Sequence, residues 1–184
     1  MAIEKYVTPC FVIESYDQSE HDRVYKLFTR EFGLVMAHAK SIRKLESKLR
    51  AHILPRSISM VTLVKGREVW RVVGSEEKMA PNTRMHEIAK LVARFIRGEG
   101  VHTTLYDRLI AFVESPSSYD STKARTLLYY IVLVDLGYAD ARVIGASNLK
   151  EYLAFTLDDL YTHLLLSYPA VRAHVHEVLQ EIQL

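Results

Sequence analysis

Within residues 40–56, six cations (Lys40, Arg43, Lys44, Lys48, Arg50 and Arg56) stand against a single acid, Glu46. Closely spaced Lys and Arg side chains neutralise phosphate oxygens, so the stretch has the electrostatic footprint expected of a polyanion binder. A solvated charged face is the plainer alternative. The clustering is regional: residues 1–80 carry 14 Lys/Arg against 10 Asp/Glu, and residues 81–184 carry 10 against 12, a contrast that the overall charge of +2 conceals. Other chemistry is sparse. His174 and His176 form the closest histidine pair, but residues two apart on a helix point to different sides. No third ligand stands at a completing distance, so neither a metal nor a cofactor is expected. Asp158-Asp159 suits a helix start, where acid complements the dipole, better than a catalytic pair. Cys10, the single cysteine, lies in an apolar run and reads as a buried small residue rather than a nucleophile. Being alone, it excludes an intramolecular disulfide and a cysteine-cluster zinc site. No glycine-rich phosphate loop, nucleophile elbow or zincin pattern occurs, and a nuclease would need a carboxylate metal cluster that the spacing does not assemble. A binding protein is expected, not an enzyme.

The elements that must position these residues fall into two textures. With 49% apolar and 25% charged residues, the chain has the balance of a soluble globular protein. Its longest apolar run, 127–134, is too short to span a membrane. Residues 1–5 lack an apolar signal core, so a cytoplasmic location is expected. Five short β-type runs occupy 10–15, 23–29, 33–39, 58–65 and 68–74. The second and third are joined across Arg30-Glu31-Phe32-Gly33, the fourth and fifth across Lys65-Gly66-Arg67, with glycine supplying freedom in φ. Between the third and fourth, Ile42, Leu45, Leu49 and Ile53 recur at spacings of three and four, which predicts a short helical or irregular crossing. Three strands, a crossing and two strands is the chain order of an OB-fold barrel, a common oligonucleotide binder; an SH3-like barrel is the main competitor. From Pro81 the period becomes helical. Asn82 is a candidate cap for a helix with Met85, Ile88, Leu91, Val92, Phe95 and Ile96 on one face. A second helix carries Leu105, Leu109, Phe112 and Val113. A third starts at Ser121 or Thr122, is apolar nearly all round, and is closed by Gly137. Asn148 opens a fourth, Thr156-Leu157-Asp158-Asp159 resembles a capping box for a fifth, and Pro169 suits the first turn of a last helix. The expected class is α+β with two domains: an OB-fold nucleic-acid-binding barrel over 1–78 and an α-helical domain over 79–184.

An ordered set of short motifs adds to this reading. It comprises Phe11-Val12-Ile13-Glu14-Ser15-Tyr16, then Ser19-Glu20, then Leu27-Phe28-Thr29-Arg30-Glu31-Phe32-Gly33-Leu34-Val35. Ala39-Lys40 with Arg43-Lys44, Ser47-Lys48-Leu49-Arg50 and Leu54-Pro55 follow, then Lys65-Gly66-Arg67-Glu68 and, in the helical half, Leu136-Gly137-Tyr138-Ala139. In this order and at these intervals they resemble the RecO family of DNA repair and recombination mediators. Two departures stand out. The glycine that follows the Ala-Lys pair in the family is Ser41 here, and the four-cysteine zinc insert that many relatives carry after the Leu-Gly-Tyr element is missing, so that 139–155 pass directly into the closing helices.

The resemblance implies an N-terminal OB barrel and a helical C-terminal domain. It also implies binding of single- and double-stranded DNA, annealing of complementary strands, and cooperation with a RecR partner in the RecFOR route to recombinase loading. Docking of the acidic C-terminal tail of single-strand binding protein on the helical domain is implied as well. On this reading the DNA-binding residues are Arg30, Lys40, Arg43, Lys44, Lys48, Arg50, Arg56, Lys65 and Arg67. Phe32 and Trp70 are candidates for base stacking, but the plainer reading outweighs it for both: Phe32 plugs the barrel end, and Trp70, alternating with Val69, lies on the buried face of its strand. Lys123 and Arg125 are candidates for docking the acidic tail, or are solvent-facing cations of their helix. Two other classes stay open: a protein-interaction adaptor that has lost DNA binding, and an RNA-binding OB protein.

Overall fold

The computed structural model describes residues 4–44, 46, 47, 49, 52–67, 69–115 and 119–182. Five strands come first, β1 (Lys5–Asp17), β2 (Arg23–Thr29), β3 (Gly33–Ala39), β4 (Ile58–Lys65) and β5 (Trp70–Met79), and helices follow. The middle three have the expected bounds. β1 runs further at both ends than its expected core, and β5 begins at Trp70, two residues later than expected, and continues through polar sequence to Met79 as its pairing with β4 extends. β1 pairs antiparallel with β4 through Lys5–Phe11 and with β2 through Cys10–Asp17. A register shift between Val12 and Glu14 accompanies this change of partner. β2 pairs with β3 and β4 with β5, and a short parallel ladder, Ala37 with Trp70 and His38 with Arg71, joins β3 to β5. The sheet thereby closes as a barrel in the order β1-β2-β3-β5-β4. Alternate residues point inward, as the two-residue period of a strand requires. Cys10, Val12, Tyr25, Leu27, Val35, Ala37, Ala39, Val61, Leu63, Trp70 and Val72 fill the interior.

The crossing from β3 to β4 forms turns where it is described, and it seals the barrel with Ile42 and Ile53, both buried, and with partly buried Leu49. Leu45 of the expected quartet lies outside the described residues. Ser41, where the family has glycine, adopts φ of 55°, the left-handed region that a residue without Cβ enters most easily. α1 (Thr83–Phe95) is capped by the Asn82 side chain, which accepts from the Met85 N–H at 3.0 Å, and it packs on β1. The following segment returns to the barrel: the Leu34 N–H donates to the Gly98 carbonyl at 3.0 Å. At Gly33, with φ of +65°, a Cβ would lie 2.1 Å from the Gly100 carbonyl oxygen. α1 therefore belongs to the compact unit of the barrel, Met1–Thr103, and Thr104–Leu184 form a second unit. The change from strand to helix falls near residue 79, where the sequence places it, while the compact units divide later.

The second unit holds α2 (Thr103–Glu114), α3 (Ser121–Asp135), a 3-10 turn at Ala141–Ile144, α4 (Leu149–Ala154) and α5 (Leu157–Glu181). Asp120 caps α3 by accepting from the Thr122 and Lys123 N–H groups. Gly137, with φ of +79°, ends it: the Tyr138 N–H reaches the Leu133 carbonyl and the Gly137 N–H the Val134 carbonyl. α3 is the central helix, with Leu127, Leu128 and 130–134 buried. The expected fifth and last helices are one element. Thr156 forms its capping box with Asp159, and Ser167, non-helical at φ −116°, marks a kink two residues before Pro169, whose ring and missing N–H interrupt the ladder. A buried ion pair ties α2 to α3: Arg108 donates to Asp135 at 2.5 Å and to the Tyr152 carbonyl at 2.8 Å, its guanidinium 4.3 Å from the Tyr152 ring. Burial pushes the Asp135 carboxyl up, against the pull of Arg108. Removing one partner of such a pair costs about 3–5 kcal/mol.

Candidate nucleic-acid interface

The topology sorts the expected DNA-binding cations into two groups. The crossing leaves β3 at Ala39 and enters β4 at Ile58, so it lies with the β1–β2 turn at one end of the barrel. The β2–β3 and β4–β5 turns lie at the other. β2 has seven residues, which sets the two ends about 20 Å apart at ~3.3 Å per residue.

At the crossing end, hydrogen bonds knit 41–44 to the β1–β2 turn. The Ser41 N–H donates to Asp22 Oδ1 at 2.8 Å, the Arg43 N–H to the His21 carbonyl at 3.1 Å, and Arg43 Nη1 to the Ser19 carbonyl at 2.9 Å. Lys40 and Lys44 are exposed on this frame. Arg43 also approaches Asp17 at 3.5 Å, and Asp17 accepts from Arg23 Nε at 2.8 Å. Arg56 presents an exposed side chain at the entry to β4, its own N–H given to the Val12 carbonyl at 2.5 Å. Lys48 and Arg50 lie outside the described residues.

At the hairpin-turn end, Lys65 and Arg30 have acidic partners. Lys65 Nζ is 2.9 Å from Glu99 and 4.8 Å from the Trp70 ring centroid. The same carboxylate accepts from Trp70 Nε1 at 2.9 Å, and these two donors hold Glu99 below its ordinary range. Arg30 lies 3.7 Å from Glu31, and Arg67 is exposed in the β4–β5 turn. Phe32 packs at 5.1 Å from Tyr6 and 5.0 Å from Trp70, with Tyr6 and Trp70 5.8 Å apart. Trp70 is 4% exposed. The stacking expectation for Trp70 is therefore corrected: its ring is enclosed by Tyr6, Phe32 and Lys65, and it serves as core. Phe32, half-buried in the same cluster, plugs the barrel end.

In the helical unit, Arg125, Tyr129, Arg172, Val175, His176 and Leu179 line an open groove of about 790 Å³ between α3 and α5. Arg125 is part of this groove; Lys123 instead holds its ammonium 5.8 Å from the Tyr168 ring. His174 accepts the Asp140 N–H at 3.1 Å and stands 3.7 Å from Glu177. Among the described residues no group of three or more His, Cys, Asp or Glu is disposed to hold a metal ion, and no helix is long and apolar enough to cross a membrane. Sequence reading missed Asp17, Arg23 and Glu99, whose partners are distant or across a turn, and Arg172, which only the kinked course of α5 brings beside Arg125.

Comparison with known proteins finds similar sequences. Residues 1–76 match the model for the Recombination protein O N terminal domain. The chain is 24% identical over 160 residues to the DNA repair protein RecO of Dehalococcoides mccartyi strain 195, covering 82% of this chain and 63% of that protein. To the protein of the same name from Syntrophotalea carbinolica it is 27% identical over 169 residues, 83% of this chain and 66% of the relative. To that of Heliobacterium modesticaldum it is 37% identical over 71 residues, 39% of this chain and 26% of the relative. The chain thus spans less than two thirds of the length of each of these relatives. The barrel, residues 1–76, thus matches the N-terminal domain model of the RecO family, and the chain as a whole is similar to proteins named DNA repair protein RecO.

Proposed function

We propose that the chain is a non-enzymatic DNA repair and recombination mediator acting in the cytoplasm. It binds single- and double-stranded DNA, promotes annealing of complementary strands and, with a RecR-like partner, assists recombinase loading. The barrel's strand order, β1-β2-β3-β5-β4 closing on β1, is that of an OB-fold and supports nucleic-acid binding. The observation that carries the reading is the frame at the crossing end, where backbone bonds from Ser41 and Arg43 to the β1–β2 turn hold Lys40, Arg43 and Lys44 together on an exposed surface. Annealing makes no covalent bond. It requires neutralising two phosphate backbones while base edges stay free to pair, and cations on a hydrogen-bonded turn suit that requirement. In the helical unit, the groove beside Arg125 combines cations with apolar lining, which suits the acidic C-terminal tail of single-strand binding protein.

Fluorescence anisotropy of a labelled oligonucleotide, titrated across salt, tests the reading. With about five phosphate contacts the log–log slope for a single strand is about −3.5, at ~0.7 per contact. A slope near zero overturns it, and a marked preference for ribose over deoxyribose strands moves the substrate to RNA.

A further inference from the structure

We infer that Arg23 and Arg43 form a socket for a single phosphate group at the crossing end of the barrel, and that the Asp17 carboxylate occupies this socket as a displaceable stand-in. The inference rests on the proposed nucleic-acid binding for its main ligand, a backbone phosphodiester; free inorganic phosphate offers the same chemistry.

Asp17 ends β1 and Arg23 begins β2, and the two are direct partners in the ladder. One carboxylate oxygen of Asp17 accepts from Arg23 Nε at 2.8 Å, and the other lies 3.5 Å from Arg43 Nη2. A single anion thus spans two guanidiniums with one oxygen each, an arrangement that two oxygens of a phosphate reproduce with charge-assisted bonds. The arginines line a recess of about 230 Å³ with Tyr25 and Ile42, each 1% exposed. The site is therefore a walled concavity rather than two cations on an open surface.

Arg43 keeps its supports when Asp17 leaves. It still donates Nη1 to the Ser19 carbonyl, and its own N–H stays on the His21 carbonyl. Arg23 lines the same recess as Tyr25. Asp17 itself has a side chain 44% exposed, with solvent to rotate into. Glu99 is as exposed as Asp17 but differs in its partners, one of which is the indole N–H of buried Trp70 rather than a second guanidinium. The other acid of the turn that faces this frame, Asp22, is committed to the Ser41 N–H. A phosphodiester entering the socket exchanges one unit of negative charge for another, so Asp17 lowers polyanion affinity and confines occupancy to ligands that also reach Lys40 and Lys44.

The test is oligonucleotide anisotropy with Asp17→Asn, alone and combined with Arg23→Gln, using a labelled oligo-dT at low and moderate salt. Asp17→Asn is expected to tighten binding severalfold and steepen the log–log slope by ~0.7, one more phosphate contact. Adding Arg23→Gln is expected to cancel that gain, and Glu20→Gln, which removes a charge from the same turn outside the socket, to give a smaller gain. Each variant's thermal melt is recorded, and Asp17→Ser carries the same expectation if Asp17→Asn melts early. Unchanged or weaker binding by Asp17→Asn, a gain that survives Arg23→Gln, or an equal gain from Glu20→Gln overturns the socket while leaving the nucleic-acid reading intact. If the unmodified protein binds no oligonucleotide at any salt, that reading fails by itself. The socket is then decided by the arginine Nε resonances of Asp17→Asn titrated with inorganic phosphate: saturable shifts at Arg23 and Arg43 uphold it, and their absence overturns it.

Discussion

At the hairpin-turn end of the barrel, Lys65 lies against Glu99 and Trp70, and Phe32 and Tyr6 complete an aromatic plug beneath a strap that brings Gly98 and Gly100 onto β3. At the crossing end, Lys40 and Lys44 are exposed and Arg43 is held by backbone carbonyls and a rotatable carboxylate. The same residue types thus serve two purposes. Where a carboxylate and an indole are both in reach, the cation joins a closed structural cluster; where backbone groups make the frame, cationic charge stays available to a ligand. Counting Lys and Arg along the chain does not separate these cases, because what differs is the partner each cation meets.

Four perturbations sharpen or break this comparison. The largest effect is expected of Gly33→Ala at the closed end. Its φ of +65° and a Cβ position 2.1 Å from the Gly100 carbonyl are expected to cost about 2 kcal/mol or more, a fall of several degrees in Tm. An unchanged melt would mean that the strap is not packed as described. Next, replacing Lys40, Arg43 and Lys44 together by Ala is expected to weaken oligonucleotide binding about tenfold and to flatten the salt slope by ~2, three contacts at ~0.7 each. Similar weakening across sequences marks phosphate contact, and unchanged affinity would place the interface elsewhere.

Acidification addresses the strap. The folded-state pKa of Glu99 lies below its ordinary value of 4.5, held there by Lys65 and then Trp70. Its contribution is therefore present above that value and is lost as pH falls through the folded-state value. The melting temperature of the barrel is expected to drop as pH falls below about 4.5 toward the folded-state value, and Glu99→Gln to flatten that part of the profile. An identical profile for the variant would remove Glu99 from the account. The smallest effect is expected of Lys65→Ala, less than about twofold in oligonucleotide affinity, because an exposed cation already paired with Glu99 has little charge to offer a second anion. A tenfold loss would show that the pair opens on binding and would erase the difference between the two ends.

Much of the barrel is legible in the sequence. β2, β3 and β4 stand at the bounds their alternation indicated, since a two-residue apolar period fits one burial pattern. Asn82, Asn148 and Thr156 cap helices as their types suggested, because a cap is satisfied within three residues. Pro169 predicts a break between two helices, as a proline ring implies; the ladder instead resumes after one non-helical residue, Ser167. The site was only half legible. The cluster from Lys40 to Arg56 could be counted, yet its division from Lys65 and Arg67 depends on strand direction, and the burial of Trp70 depends on Glu99, 29 residues away in sequence.

By itself the sequence determined the elements, their order, the inward faces of the strands and the concentration of cations in the first 80 residues, all of which follow from local period, capping and composition. Tertiary structure alone decided which carboxylate meets which cation. Asp17 bridges Arg23 and Arg43, Glu99 bridges Lys65 and Trp70, and Asp135 receives Arg108. The physical reason is range. Strand period and helix caps are set within a few residues, whereas an ion pair forms between side chains that the closed sheet and the packed helices bring within about 4 Å, where Coulomb attraction and hydrogen bonding become strong enough to select a partner.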